Sequence, residues 1–235
     1  MGTGMWIWNL AKCDDGSTAR IVARAQQTGL THLVLKIADG VELYNGISLK
    51  PFVQAVHAAG VKCYVWSYTY GSNPEREAEV FGQRAVALGA DAAVVDAEGD
   101  SYTNSPMRAM RFMRNLRAAV GDMHVGLSTH RYPSKHKNLP IQTFMEEGCD
   151  SGWPQAYYLG PNVEQRLMEI VAEWEVFGKP IVMTGAAYPE AIVEPADLGR
   201  VWRWCQARGI EQVNWWSYQH ATDAMWQEIA AMRGV

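Results

Sequence analysis

Eight times along the chain a short apolar run gives way to an amphipathic stretch, and this alternation limits the fold more than any other feature. The apolar runs are Met5–Asn9, Thr31–Ile37, Val61–Tyr68, Asp91–Glu98, His124–Thr129, Asp150–Tyr158, Pro180–Gly185 and Glu211–Tyr218. Runs this short and this continuous read as strands buried on both faces, as in a parallel sheet. Between them the 3.6-residue period predicts helices over 17–27, 48–59, 74–88, 106–120, 141–147, 163–177, 195–208 and 223–232. Proline near several helix starts and glycine just beyond several ends are the expected punctuation. Eight strand-then-helix units predict an α/β fold, a (β/α)8 TIM barrel filling residues 1–235 as a single domain. The rival is a doubly wound open sheet. That fold ordinarily carries a glycine-rich phosphate turn after its first strand, and Asn9-Leu10-Ala11-Lys12 is not one.

Composition removes several function classes. A net charge of −4 leaves no basic footprint, so no nucleic-acid partner and no anionic membrane surface are expected. No apolar run approaches the ~20 residues that span a bilayer. Met1–Asn9 lacks a basic segment followed by a long apolar one, so no signal peptide and a cytoplasmic site of synthesis are expected. Cys13, Cys63, Cys149 and Cys205 stand far apart and are expected as free thiols. The six histidines form no His-x-His or His-x-x-x-His pair, so neither a metal site nor a cofactor is expected. Gly126-Leu127-Ser128-Thr129-His130 starts like a nucleophile elbow and then diverges from it. Arg108, Arg111, Arg114 and Arg117, three apart, read as a solvated helix face.

In a barrel of this kind the reactive groups stand where the strands end. Those ends supply Asn9, Lys36, Asp39, Tyr68, Asp96, Glu98, Gln155, Tyr157, Trp216 and Tyr218, with Tyr70, Thr129, His130, Thr184, Tyr188, Gln219 and His220 beside them. Acids, amides, hydroxyls and flat rings suit a neutral polyhydroxylated ligand. They suit phosphate poorly, since phosphate wants backbone nests and clustered Lys or Arg. The strongest chemical signal is Ala92-Ala93-Val94-Val95-Asp96-Ala97-Glu98-Gly99-Asp100. Strand alternation puts Asp96 and Glu98 on one face with Cα atoms about 6.6 Å apart, at a rise of ~3.3 Å per residue. Two acids at the end of a buried strand repel each other and resist charging, so one proton is held tightly. Glu98 is the member expected to titrate high. The alternative is a solvated pair of acids, or caps for the helix that begins near Ser105.

Several segments carry a family resemblance. Gly29–Gly40, with Lys36 and the Asp39-Gly40 turn, resembles the second-strand segment of glycoside hydrolase family 25 lysozymes. Tyr64–Gly71, followed by Pro74 and the acidic helix Glu75–Phe81, is similar to that family's third unit. Val94–Glu98 is similar to its fourth-strand Asp-x-Glu, Trp153–Tyr157 to its sixth strand, and Trp216–Gln219 to its eighth. The family-18 chitinases share an Asp-x-Glu on the fourth strand, a Tyr on the sixth and a Trp on the eighth, which Tyr157 and Trp216 match. The resemblance implies hydrolysis of a β-1,4 bond of peptidoglycan beside N-acetylmuramic acid, or of a chitin-like polymer. It implies Glu98 as acid then base, and Asp96 as the group that steadies the N-acetyl substituent. The chain departs from the lysozymes at Asn9, where they carry Asp, and at Gln219–Asp223, where a late acid is missing.

The reading is therefore a glycosidase with Asp96 and Glu98 as catalytic residues. Its substrate-binding set is Asn9, Lys36, Asp39, Tyr68, Gln155, Tyr157, Trp216 and Tyr218, its partner a polysaccharide, and its place of action the cell wall if it serves lysis. The short Asp-x-Glu spacing favours attack by the substrate's own acetamido group. The alternative is a barrel that binds glycan without cutting it, in a phage or cell-surface assembly. Which of Trp215 and Trp216 faces inward is open at this level.

Overall fold

The computed structural model describes residues 1–46, 48–191 and 194–232. Strand β1 (Gly2–Ile7) pairs in parallel with β2 (His32–Asp39) on one side and with β9 (Gln212–Trp216) on the other. Between β2 and β9 run β4 (Lys62–Thr69), β5 (Ala92–Ala97), β6 (His124–His130), β7 (Ser151–Ala156) and β8 (Met183–Ala186), each parallel to its neighbours. The sheet thus closes on itself as the predicted eight-stranded parallel barrel. One strand was not foreseen. β3 (Glu42–Leu43) folds back antiparallel on β2 outside the ring, across a turn in which Gly40 has a φ of 59°.

Among the described residues eight α-helices cover the outside: α1 (Thr18–Thr28), α2 (Lys50–Ala58), α3 (Pro74–Leu88), α4 (Pro106–Val120), α5 (Ile141–Glu147), α6 (Val163–Glu175), α7 (Ala196–Ala207) and α8 (Asp223–Ala231). Proline opens α3 and α4 at positions whose N–H would lack a helical partner in any case. The outward residues of the strands, among them Ile7, Leu35, Val65, Val95, Leu127 and Trp215, bury themselves under this layer. None of the described helices is long and apolar enough to cross a membrane.

The strand alternation gives the barrel a second, inner core. Trp6, Val34, Tyr64, Trp66, Ala92, Val94, Trp153 and Val182 form one buried cluster, with Tyr68 and Trp216 packed on its upper end. The indoles meet edge to face: Trp6 lies 5.3 Å from Trp66, 6.0 Å from Trp153 and 5.7 Å from Trp216 between ring centroids. Such contacts are the favoured geometry for aromatic quadrupoles. So much ring volume fits only because small residues face it. A Cβ on Gly126 would overlap the Trp153 indole, and one on Gly4 would overlap His32 and Asn214. At the lower end His32 Nε2 lies 2.5 Å from Asn214 Oδ1, and its ring stacks on Tyr64.

The arginine stripe on α4 is solvated at Arg111 and Arg114, as the sequence reading has it, and it also ties α4 to its surroundings. Arg108 donates to the Gly71 carbonyl, Arg111 pairs with Glu75, Arg114 pairs with Glu147, and Arg117 reaches Asp150 and the carbonyls of Gly148 and Met123. A guanidinium carries five donors, so one side chain serves several loop carbonyls.

The inner packing yields the first prediction. Trp153 is 1% exposed and its Nε1 donates to Ser151 Oγ at 2.8 Å, so the ring has no free direction in which to retreat. Gly126→Ala is expected to destabilise the protein by roughly 1–3 kcal/mol, the usual cost of overpacking. A lower urea midpoint at unchanged slope is the measurement that checks it.

Candidate active site

The upper mouth of the barrel carries the acid pair. Asp96 is the last inward-facing residue of β5 and pairs in register with Tyr68 of β4 and Ser128 of β6. Glu98 is the first residue beyond the strand after Ala97, half-buried where Asp96 is 7% exposed. Both carboxyls converge on one amide. Gln155 Nε2 donates to Asp96 Oδ1 at 3.1 Å and to Glu98 Oε1, and approaches Ser128 Oγ at 3.4 Å. The Gln155 amide therefore fixes the relative position of the two acids.

Electrostatics separates the pair. Burial holds the Asp96 carboxyl well above the ordinary carboxylate range. The Glu98 charge and a hydrogen bond shared with Glu98 push the same way, while Lys36 and Ser128 pull against them. Asp96 lies inside the strand, where burial disfavours its charge, and the two carboxyls interact through their shared hydrogen bond. Burial of its hydroxyl also pushes Tyr157 well above a normal tyrosine, with the Asp96 and Glu98 charges adding to the effect. Tyr68 is pushed up to about 12 by burial first and then by Glu98 and Asp96. Both phenols remain protonated donors beside the acids.

Around this centre the structure gathers most of the residues expected there. Lys36 points into the barrel 5% exposed, its Nζ 4.5 Å from the Tyr44 ring centroid, 4.8 Å from that of Trp66 and 3.2 Å from Asp39 Oδ2. Asp39 in turn accepts from the Tyr70 hydroxyl at 3.1 Å. Trp216 is the inward member of its pair: its ring lies 5.4 Å from Trp66 and 5.7 Å from Trp6 and is partly open above. Trp215 is buried outward against the helices, and Gly185 is shaped to it. The Trp216–Ser217 peptide bond is cis. Tyr157 follows β7 and meets Tyr188 edge to face at 6.1 Å.

Two expected residues stand apart. Tyr218 lies beyond β9 in a short turn and faces the outer layer, 4% exposed, with its hydroxyl donating to Asp14 Oδ2 at 2.5 Å and its ring against Trp226. It braces α1 and α8 and does not join the acids. The strand ends at Trp216, so the alternation that would have turned Tyr218 inward no longer applies. Asn9 also lies beyond its strand, because β1 stops at Ile7. Its carboxamide oxygen caps the turn Leu10–Lys12 by accepting from the Ala11 N–H at 3.1 Å. Other residues were missed. Trp66 and Trp6 build the floor; their strand parity was the available signal. Glu77 holds the loop that carries Tyr70, its carboxylate accepting from the Thr69 hydroxyl and the N–H groups of Tyr70, Gly71 and Asn73. His130 and His136 stack at 3.6 Å beside Glu98, and with Lys135, Lys137 and Asn138 they line a cleft of about 370 Å³ that opens from it. Among the described residues no group of three or more His, Cys, Asp or Glu is placed to hold a metal ion.

No protein-family model and no curated protein sequence matches the chain. Solved structures do. The barrel superposes on a class V chitinase from Nicotiana tobaccum with a TM-score of 0.75 at 12% identity, covering 99% of both chains. A chitinase from Bacteroides thetaiotaomicron gives 0.75 at 10% identity, over 99% of this chain and 96% of that one. The spore cortex-lytic enzyme SleL of Bacillus megaterium gives 0.69 at 9% identity, over 97% of this chain and 73% of that one. At such identities the likeness is one of fold. It runs to the chitinase side of the two resemblances carried by the sequence.

The raised Asp96 carboxyl has a consequence for stability. The folded state binds this proton more tightly than the unfolded chain, whose aspartate titrates near ~3.9. Stability therefore falls as pH rises from that value through the folded pKa. Asp96→Asn removes the titration, and is expected to raise the melting temperature at pH 7 by roughly 2–4 °C, the equivalent of about 1 kcal/mol for a chain this size. The gain should shrink as the pH is lowered towards 4. Thermal melts across that range check it.

Proposed function

We propose that the protein is a glycoside hydrolase acting on a β-1,4-linked N-acetylhexosamine polymer, with peptidoglycan as the first candidate and a chitin-like polymer as the second. The observation that carries this reading is the convergence of Asp96 and Glu98 on the Gln155 amide, at the mouth of a barrel floored by Trp216. Metal-free hydrolysis of an acetal needs two such groups, one to deliver a proton and one to steady positive charge. The fold shared with chitinases and a cortex-lytic enzyme supports the same class of chemistry.

In this mechanism a sugar ring rests on the Trp216 indole and its acetamido group reaches towards Asp96 and the Tyr157 hydroxyl. The pair's single proton moves to Glu98, leaving Asp96 charged. Glu98 gives that proton to the glycosidic oxygen as the C–O bond breaks. The acetamido oxygen supplies the electron pair that closes on the anomeric carbon, and Asp96 accepts the hydrogen bond of the now cationic N–H. Water then adds to the same carbon, gives its proton to Glu98 and reopens the ring. The Tyr157 and Tyr68 phenols, neutral at this pH, donate without adding charge. Lys36 opposes the rise of the Asp96 pKa and so helps Asp96 carry charge at the step that needs it.

A glycan-binding barrel without turnover is the second reading, favoured by Asn9, which stands where the lysozymes carry an acid and is committed to capping a turn. Release of reducing ends from purified walls or chitin separates the two. On the first reading Glu98→Gln keeps polymer binding and lowers the rate by roughly 10²–10⁴-fold, the usual worth of a general acid and base. A glycan stripped of its N-acetyl groups is expected to resist hydrolysis altogether. Undiminished cleavage of that glycan would mean that a protein carboxylate or a water attacks instead, and no cleavage of any polymer would leave the binding reading.

A further inference from the structure

The chain is acidic overall, yet the loop between β6 and α5 is not. Residues 131–140 contain Arg131, Lys135, His136 and Lys137 with no Asp or Glu. This loop forms one wall of the cleft that opens from Glu98, and Gly99, Asp100 and Thr103 belong to the other. Its cations are differently engaged. Arg131 donates to the carbonyls of Tyr157 and Tyr158 and so fixes the loop to the β7 end of the mouth. Lys135 lies with its Nζ 4.5 Å from the Tyr132 ring centroid, an attraction that leaves its N–H donors available. Lys137 is exposed and makes no hydrogen bond or ion pair with the described residues. The His130 and His136 rings stack face to face, 9° from parallel, in the cleft that these lysines and Glu98 line. Burial, the adjacent His130 and Lys135 hold His136 below the usual histidine range, against the pull of Glu98. The stack offers ring nitrogens, and the two lysines place positive charge beside it. Two acids, Glu98 and Asp100, share the cleft.

The position of the cleft gives it a place in the reaction. Glu98 belongs to both the acid pair and the cleft, so a residue bonded through a glycosidic oxygen at Glu98 has the cleft and its two lysines within reach.

We propose that the cleft is the leaving-group subsite and that it takes an N-acetylhexosamine carrying a carboxylate, with Lys135 and Lys137 as its charge partners. Such a carboxylate comes from the lactyl ether of a muramoyl residue or from a peptide attached to it. The inference rests on the glycosidase reading of Asp96 and Glu98, and it adds the identity of the sugar on each side of the cut. The acidic sugar leaves, so the new reducing end belongs to the neutral N-acetylhexosamine.

The test separates charge from turnover. Retention of the wild-type protein is measured at 4 °C on three insoluble probes: peptide-bearing wall, peptide-free wall glycan, and the same peptide-free glycan with its lactyl carboxylates amidated. The expected result is binding about fivefold weaker on the amidated glycan than on the acidic one, a difference that narrows with added salt and disappears in the Lys135→Glu, Lys137→Glu double variant. Lys137→Arg should restore most of the effect of Lys137→Glu. Both lysines are exposed, so the variants keep the fold, and unchanged circular dichroism shows that they do. Tighter binding to peptide-bearing wall than to the peptide-free glycan assigns the carboxylate to the peptide, and equal binding assigns it to the lactyl group. Equal retention on acidic and amidated glycan, or on none of the probes, overturns the inference whether or not the protein cuts. Fragments that end in a reducing muramoyl residue overturn it too. Failure to release reducing ends from any probe, with charge-dependent retention intact, overturns the glycosidase reading and leaves the cleft an anion-selective glycan site.

Discussion

The inner packing of Trp6, Trp66, Trp153 and Trp216 is the constraint on which the rest of the molecule depends. A barrel of eight parallel strands has an interior that side chains must fill. Here large aromatic rings take most of that volume, and Gly126 on the neighbouring strand makes room for the Trp153 indole. Once the rings are seated, the register of each strand is set, because a slip of one residue would turn every indole outward. The same register decides which residues stand at the mouth. Asp96 lies two residues above Val94, Tyr68 two above Trp66, and Gln155 two above Trp153. The chemistry is thus an extension of the packing, one layer higher.

That arrangement carries a cost that the surrounding groups partly offset. A carboxyl enclosed by apolar rings resists ionisation, and a second carboxyl beside it resists further. Gln155, Ser128 and Lys36 supply the compensating dipoles and charge. The remainder is a proton held more firmly than in water. The stability lost there and the acid–base role proposed for the pair share one physical cause, the low polarity of the barrel's upper layer.

Much of this was legible in the sequence, and the parts that were not have specific causes. The eight strand-helix units gave the barrel because buried parallel strands leave an unmistakable continuous apolar run. That Asp96 and Glu98 lie together at the end of a buried strand was legible because strand parity puts residues two apart on one face. Tyr218 was misplaced because a strand's parity stops being informative where the strand stops, and the end of β9 at Trp216 has no Gly or Pro to mark it. Asn9 stands just past the end of β1, as expected, and that its side chain caps the next turn could not be read from periodicity. The arginine stripe of α4 was read as polar and solvated but not as a set of ties to the neighbouring loops, because helix periodicity shows which face is polar and cannot show what that face touches. The hairpin strand β3 and the cleft beside Glu98 are products of loop geometry, to which periodicity is blind. Gln155 was named as a site residue from its place alone; that it holds both acids needed three dimensions.

The aromatic core also has an optical side. Trp6 meets Trp66, Trp153 and Trp216 at centroid distances between 5.3 and 6.0 Å, and Trp66 meets Trp216 at 5.4 Å. Trp216 is the member open to the mouth, so a group that settles on its face changes the surroundings of an indole in contact with the sealed centre of the barrel. Part of the intrinsic fluorescence of the unlabelled protein, which comes from ten tryptophans, therefore responds to occupancy at the floor of the groove.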